Sequence, residues 1–297
     1  MEQHPEPADR SRWTSFVALG DSFTEGLDDP SPDGQGPNAQ YRGWADRVAV
    51  ALAGPAGGAG FRYANLALRG LGLDAVAGPQ VDQAVAMAPD LVSIAAGGND
   101  VLRPRFDVET LGRTMDDAIR ALTEVVGTVV VFAGFRPAPG LPFGRTIATR
   151  AAAYNDLTRA SAARHGAVLV DLWAMPELRH PRLWSPDRLH LSTAGHQLVA
   201  TRVLEALGEP PPADSSNDAV DVLSPSRLAA RRADLRWTRE YFLPWLGRRL
   251  TGRSSGDKLT AKRPDLAPLH PSPLHPSALH PSALARDTDL LEETRHS

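Results

Sequence analysis

The chain has 297 residues, 42% hydrophobic and 23% charged, which fits one large globular body plus an appendage. It has no cysteine, which excludes disulfides, thiolate catalysis and cysteine-ligated metal. A formal net charge of −3 gives no general attraction to nucleic acid, although residues 219–263 carry eleven Lys/Arg against four Asp/Glu.

The N-terminal MEQHPEPADRSRW is polar, without the apolar core of a secretory leader. No apolar run approaches the ~20 residues that span a bilayer. These features predict a flexible N-terminus over residues 1–14 and a cytoplasmic protein. Phe16–Leu19 is the first strand-length apolar run and leads straight into Gly20-Asp21-Ser22. Tyr41–Leu52 has helical composition. Phe61–Leu66 is a second, weaker strand, followed by Gly70. Leu73–Met87 is predicted helical, Leu91–Ala95 is a third strand, and Gly97-Gly98-Asn99-Asp100 follows it. Val108–Val126 and Thr146–His165 are helices on either side of a fourth strand, Thr128–Phe132. A fifth strand, Ala167–Val170, precedes a loop with Trp184-Ser-Pro and then Asp187-Arg-Leu-His190. Ser192 is the expected N-cap of a last helix, Thr193–Leu207.

Strands alternating with helices predict βαβ units and a parallel sheet. Five strands predict an α/β protein: a three-layer α/β/α sandwich with a five-stranded parallel sheet of flavodoxin-like order, over residues 15–208. Glu209–Asn217, rich in Pro and Ser, places a linker over 209–218. Residues 219–263 are a predicted basic helical extension. Within 226–250, Leu228, Leu235 and Phe242 recur every seven residues and suit docking on the body; an anionic membrane surface is the other reading. No nucleic-acid module accompanies the basic residues. From Pro264 the chain turns to LHPSP and LHPSA repeats, so 264–297 is predicted to be a disordered tail.

In open α/β sheets, ligands sit beyond the carboxyl ends of the strands. Ser22, Gly70, Asn99, Asp187 and His190 all fall there. Each residue type has a chemical task. A serine hydroxyl becomes a nucleophile when a base takes its proton, which His190 can do near neutral pH. A carboxylate orients that imidazole, and Asp187, three residues earlier, can reach it. The N–H groups of Ser22 and Gly70 and the Asn99 side-chain amide supply three donors for an oxyanion. Taken singly, each residue has a plainer use: Ser22 as a helix cap, Asp187 and Asn99 in turns, His190 as a structural histidine. Asp171 is the alternative acid. Asp21 and Asp100 are expected to brace loops, His196 to be structural, and His165 to cap a helix. No carboxylate–histidine cluster in the body suggests a metal site, no cofactor is called for, and GDSFTEG lacks the Gly-Lys-Ser/Thr ending of a P-loop.

These blocks resemble the SGNH/GDSL hydrolase family of esterases and lipases. Its signature serine falls on Ser22 of GDS, its glycine on Gly70 of NLALRG, its asparagine on Asn99 of GGND, and its Asp-x-x-His on Asp187 and His190. The resemblance spans about residues 16–208. Arg232–Asp257 resembles extensions of some actinobacterial members. Phe23 departs from the family's leucine, and Thr24 stands where an α/β-hydrolase elbow needs a second glycine. The resemblance implies a serine hydrolase that cleaves a small-molecule or lipid acyl ester through an acyl-enzyme. Its alternatives are a non-catalytic binding module on this scaffold and a membrane-associated lysophospholipase or thioesterase.

Overall fold

The computed structural model describes residues 12–31, 41–54, 60–137, 143–211 and 259–269. Strand β1 (Ser15–Gly20) is buried along its whole length. Phe16 and Ala18 join one core and Val17 and Leu19 the other, the period-two alternation of a strand covered on both faces. β2 (Arg62–Asn65) and β3 (Leu91–Ala95) flank it in parallel, with Phe16 opposite both Tyr63 and Leu91. β4 (Thr128–Ala133) and β5 (Val168–Asp171) continue the parallel sheet. The strand order is β5-β4-β3-β1-β2-β6, so the first five have the predicted flavodoxin-like arrangement.

The helices are α1 (Ser22–Glu25), α2 (Gly43–Ala53), α3 (Leu73–Ala75), α4 (Val81–Met87), α5 (Gly98–Val101), α6 (Val108–Thr123), α7 (Gly144–His165) and α8 (Thr193–Leu207). One core buries Trp44 and Val48 of α2 with Val199 and Val203 of α8. The other buries Val81, Met115, Ile119, Tyr154 and Ala162 from α4, α6 and α7. The helices thus form the two outer layers. As predicted, Ser192 caps α8, its side chain accepting from Gly195 N, and Gly208 ends the helix in the left-handed conformation.

Three expectations need correction. The sheet has six strands, not five: β6 (Arg263–Pro268) pairs antiparallel with β2, Arg62 opposite Pro268 and Tyr63 opposite Ala267. It lies at the junction of the predicted basic extension and disordered tail. Pro264 and Pro268 hid it, yet an edge strand needs hydrogen bonds on one side only and tolerates proline there. Trp13 and Thr14 belong to the body: Trp13 is buried, and Thr14 donates to Asp90 through both N and Oγ1. The single helix expected over Leu73–Met87 is interrupted by a π turn, Val76–Gln80, with Pro79 inside it. The basic segment 226–250 and its membrane contact, most of the 209–218 linker, and the LHPS repeats beyond Leu269 lie outside the described residues.

Candidate active site

β1 ends at Gly20 and delivers Asp21 and Ser22 just beyond its last residue. Asp21, not Ser22, is the N-cap of α1: its carboxylate accepts from Phe23 N at 3.1 Å. Ser22 is therefore the first helical residue, and its hydroxyl is left for another partner. That partner is His190, whose Nε2 lies 3.0 Å from Ser22 Oγ. On the far side of the ring, Nδ1 lies 2.5 Å from Asp187 Oδ2. An ionised carboxylate only accepts, so Nδ1 carries a proton, and in the neutral ring Nε2 then presents its lone pair to the serine hydroxyl. Asp171, the alternative acid, is engaged elsewhere, with Arg159 and with Ala174 N. The structure thus brings Ser22, His190 and Asp187 into one hydrogen-bonded line.

The loop that carries Asp187 and His190 is self-braced. Asp187 Oδ1 accepts from Ser185 Oγ at 2.6 Å and from the backbone N–H groups of Leu189 and His190, each at 2.9 Å. Ser185 N donates to His190 O, and Trp184 bridges to Leu191. Burial, the largest influence on Asp187, pushes its carboxyl up, but the bonds and charge of His190 and the Ser185 bond together hold it well below the usual range. Burial likewise pushes His190 down. Asp187, with Asp28 and Asp21 behind it, outweighs burial and raises the imidazole above its usual value. Asp28 Oδ2 stands 4.0 Å from the same Nδ1, on a residue with positive φ (68°).

Asp28, Asp187 and His190 are the one group among the described residues compact enough to hold a metal ion, with ligand atoms within 4.8 Å of one another. A metal would need the Nδ1 lone pair, whereas the line to Ser22 needs that nitrogen protonated.

Asn99 and Gly70 reach the same edge of the sheet. Asn99 Nδ2 donates to Asp21 Oδ2 at 3.1 Å and to Leu71 O at 3.0 Å. Gly70, between Arg69 and Leu71, has φ 82°, a conformation that glycine adopts without penalty. Asp21 is buried, and burial raises its carboxyl to about 6 against the opposing Phe23 N–H, His190 and Asn99. Asp100 accepts from Leu73 N, so both aspartates brace loops as expected.

Three residues escaped the sequence reading. Gln80, at the end of the π turn, grips the Gly20 peptide unit from both sides: its Oε1 accepts from Gly20 N at 2.8 Å and its Nε2 donates to Gly20 O at 3.0 Å. Asn65 Nδ2 donates to Thr24 O, and Arg69 pairs with Glu25. Proline inside a predicted helix was the one available signal, for Gln80, because such interruptions gather at functional sites.

A cavity of about 170 Å³ opens beside Ser22, His190 and Asn99. Its wall is mostly apolar, including Leu27, Val101, Leu102, Phe135, Ile147 and Trp184. Phe23, the departure from the family's leucine, packs against Trp44, Phe132 and Phe135. His196 is buried behind it and pushed down to about 4, chiefly by burial, which suits a structural role. His165 ends α7 and bonds Asp116.

A single sheet between two helical layers, with this cluster on its carboxyl edge, defines an α/β sandwich protein. The chain belongs to the GDSL-like Lipase/Acylhydrolase family, whose model matches residues 18–198. Among solved structures it is similar to LAE5, an alpha/beta hydrolase enzyme from the metagenome of Lake Arreo, Spain. That match has 26% identity and a TM-score of 0.55, and covers 66% of this chain and 95% of that one. It also shares its fold with a variant of Axe2, an acetyl xylan esterase from Geobacillus stearothermophilus (21% identity, TM-score 0.56, covering 66% and 95%). A catalytic mutant of Axe2 with its serine replaced by alanine matches similarly (21% identity, TM-score 0.55, covering 66% and 94%). No curated protein sequence matches the chain significantly. Among the described residues, no helix is long and apolar enough to cross a membrane.

Proposed function

We propose that this protein hydrolyses carboxylic esters with an apolar acyl group, through a Ser22–His190–Asp187 triad and an acyl-enzyme. The observation that carries the reading is the hydrogen-bonded line from Ser22 Oγ through His190 to Asp187, joining residues 168 positions apart in sequence. His190 Nε2 takes the Ser22 proton as the oxygen attacks the ester carbonyl. The negative charge on the carbonyl oxygen is held by Ser22 N–H, Gly70 N–H and Asn99 Nδ2, with the Asn99 hydrogen now on Asp21 turning to the oxyanion; such bonds often form only in the loaded enzyme. His190 returns the proton to the departing alcohol. It then takes one from water as the hydroxide oxygen adds to the acyl carbonyl, and gives it to Ser22 Oγ as the ester bond to Ser22 breaks and the carboxylic acid leaves. Asp187 keeps Nδ1 protonated and stabilises the imidazolium in both halves.

The apolar wall supports an acyl chain larger than acetyl. The test is a p-nitrophenyl ester series from acetyl to palmitoyl, with the Ser22→Ala variant as blank. We expect kcat/KM to rise beyond acetyl and Ser22→Ala to show no turnover. Turnover by Ser22→Ala equal to that of the native chain overturns the triad; a maximum at acetyl overturns the apolar acyl group.

A further inference from the structure

α1 has only four residues, too few to satisfy its own last carbonyls. Thr24 O is met by Asn65. Glu25 O is met by a residue 237 positions away: Lys262 Nζ donates to it at 2.8 Å. The same ammonium donates to Arg42 O at 2.8 Å, contacts Tyr41 O at 3.2 Å, and pairs with Asp46 Oδ2 at 2.9 Å. The Lys262 side chain is only 4% exposed. It sits directly before β6, outside residues 18–198 that match the family model.

The carbonyls it gathers belong to two segments that touch with no room to spare. A Cβ on Gly43 would lie 2.4 Å from the Gly26 Cα, so the turn after α1 and the start of α2 cross backbone to backbone. Nearby, Asp29 accepts from Gly43 N and pairs with buried Arg47. Lys262 ties the two segments of this crossing together through Glu25 O, Tyr41 O and Arg42 O. It also places positive charge at the carboxyl end of α1, where a helix favours it. The segment it fixes has Ser22 at one end and Asp28, beside His190, at the other.

We propose that Lys262 is a positioning residue for ester hydrolysis: by clamping Glu25, Tyr41 and Arg42 it holds Ser22 Oγ in line with His190. The C-terminal segment thereby completes a site whose reacting groups all lie within the family-matched region. This inference rests on Ser22 being the nucleophile.

The test is Lys262→Met in the full chain, a near-isostere without the ammonium. Active sites are counted by a fluorophosphonate label on Ser22, and turnover of the best p-nitrophenyl ester is divided by that count. We expect kcat per labelled site to fall at least tenfold and the labelling rate to fall with it. KM should move less than threefold, because the acyl cavity does not touch Lys262. A stabilising role alone would lower Tm and the number of labelled sites but leave kcat per site within twofold of the native chain, and that result overturns the inference. Lys262→Arg is judged by the same ratio and decides the question if Lys262→Met does not fold. It keeps a charge opposite Asp46, but its planar fork cannot aim donors at converging carbonyls. Ser22→Ala, run alongside, separates the two readings. If it is active, the nucleophile is wrong. If it is inactive while both Lys262 variants turn over normally per site, only the clamp is wrong.

Discussion

The two halves of the candidate site are built in opposite ways. The acid–base loop is local: Ser185, Leu189 and His190 all bond Asp187 from within three residues of it. The nucleophile turn is assembled from the whole chain. Gly20 is held by Gln80, Thr24 by Asn65, Glu25 by Arg69 and Lys262, and Asp29 by Arg47. A loop braced by itself can move as a unit and keep its acid and base together. A turn braced from five places keeps its position only while the fold around it is intact. Ser22 is thus fixed by contacts from across the fold, and His190 by local hydrogen bonds.

The largest expected effect comes from breaking the local half at its centre. Asp187→Asn should lower kcat/KM about 10²–10⁴-fold, because an amide does not hold the imidazole in the required tautomer. The pH profile gives an independent sign. Asp187 raises His190 against burial, and the reaction needs neutral imidazole, so the acid limb of kcat/KM should lie above the usual histidine value. In Asp187→Asn, burial then dominates and the limb should move to lower pH. A limb that stays in place would mean that Asp28, 4.0 Å from Nδ1, does the raising instead.

Gln80→Leu probes the other half. It leaves Gly20 N buried without the Gln80 acceptor, while Gly20 O keeps the Leu68 N–H, a loss of about 1–3 kcal/mol in denaturant unfolding. Because Gly20 leads directly into Ser22, kcat should fall as well. The smallest effect is expected for Ser185→Ala. Asp187 Oδ1 keeps two backbone donors after this change, so kcat/KM should stay within about fivefold and stability within about 1 kcal/mol. If Ser185→Ala destabilised the protein as much as Gln80→Leu, the contrast between a local and a distributed half would be wrong.

The same contrast explains what could be read from the sequence. The β1–β5 runs are apolar and separated by helical patterns, so their order and most of their limits were legible. Asp187 and His190 sit three residues apart, a spacing that announces a shared turn. Ser22, Gly70 and Asn99 were legible because each follows a strand. Lys262, Arg47, Asn65 and Gln80 carry no such mark. Their partners between Gly20 and Asp29 lie 18 to 237 positions away, and polar residues of these types ordinarily face solvent. β6 was hidden because two prolines argue against a strand wherever hydrogen bonds are needed on both sides. The cap of α1 was misplaced by one residue between two equally good capping types, Asp21 and Ser22.

The edge position of β6 also carries a consequence in time. Residues up to 211 hold five strands, all of both cores but Leu266 and Leu269, and every side chain of the proposed triad, yet the strand that covers β2 begins only at Arg263. At about 5–20 residues per second of synthesis, the intervening stretch occupies the ribosome for roughly 2–10 s. During that interval β2 is an open sheet edge, free to pair with another nascent chain. Among the described residues β6 is thus the last strand in the order of translation, and until it arrives β2 is the edge exposed to misassembly.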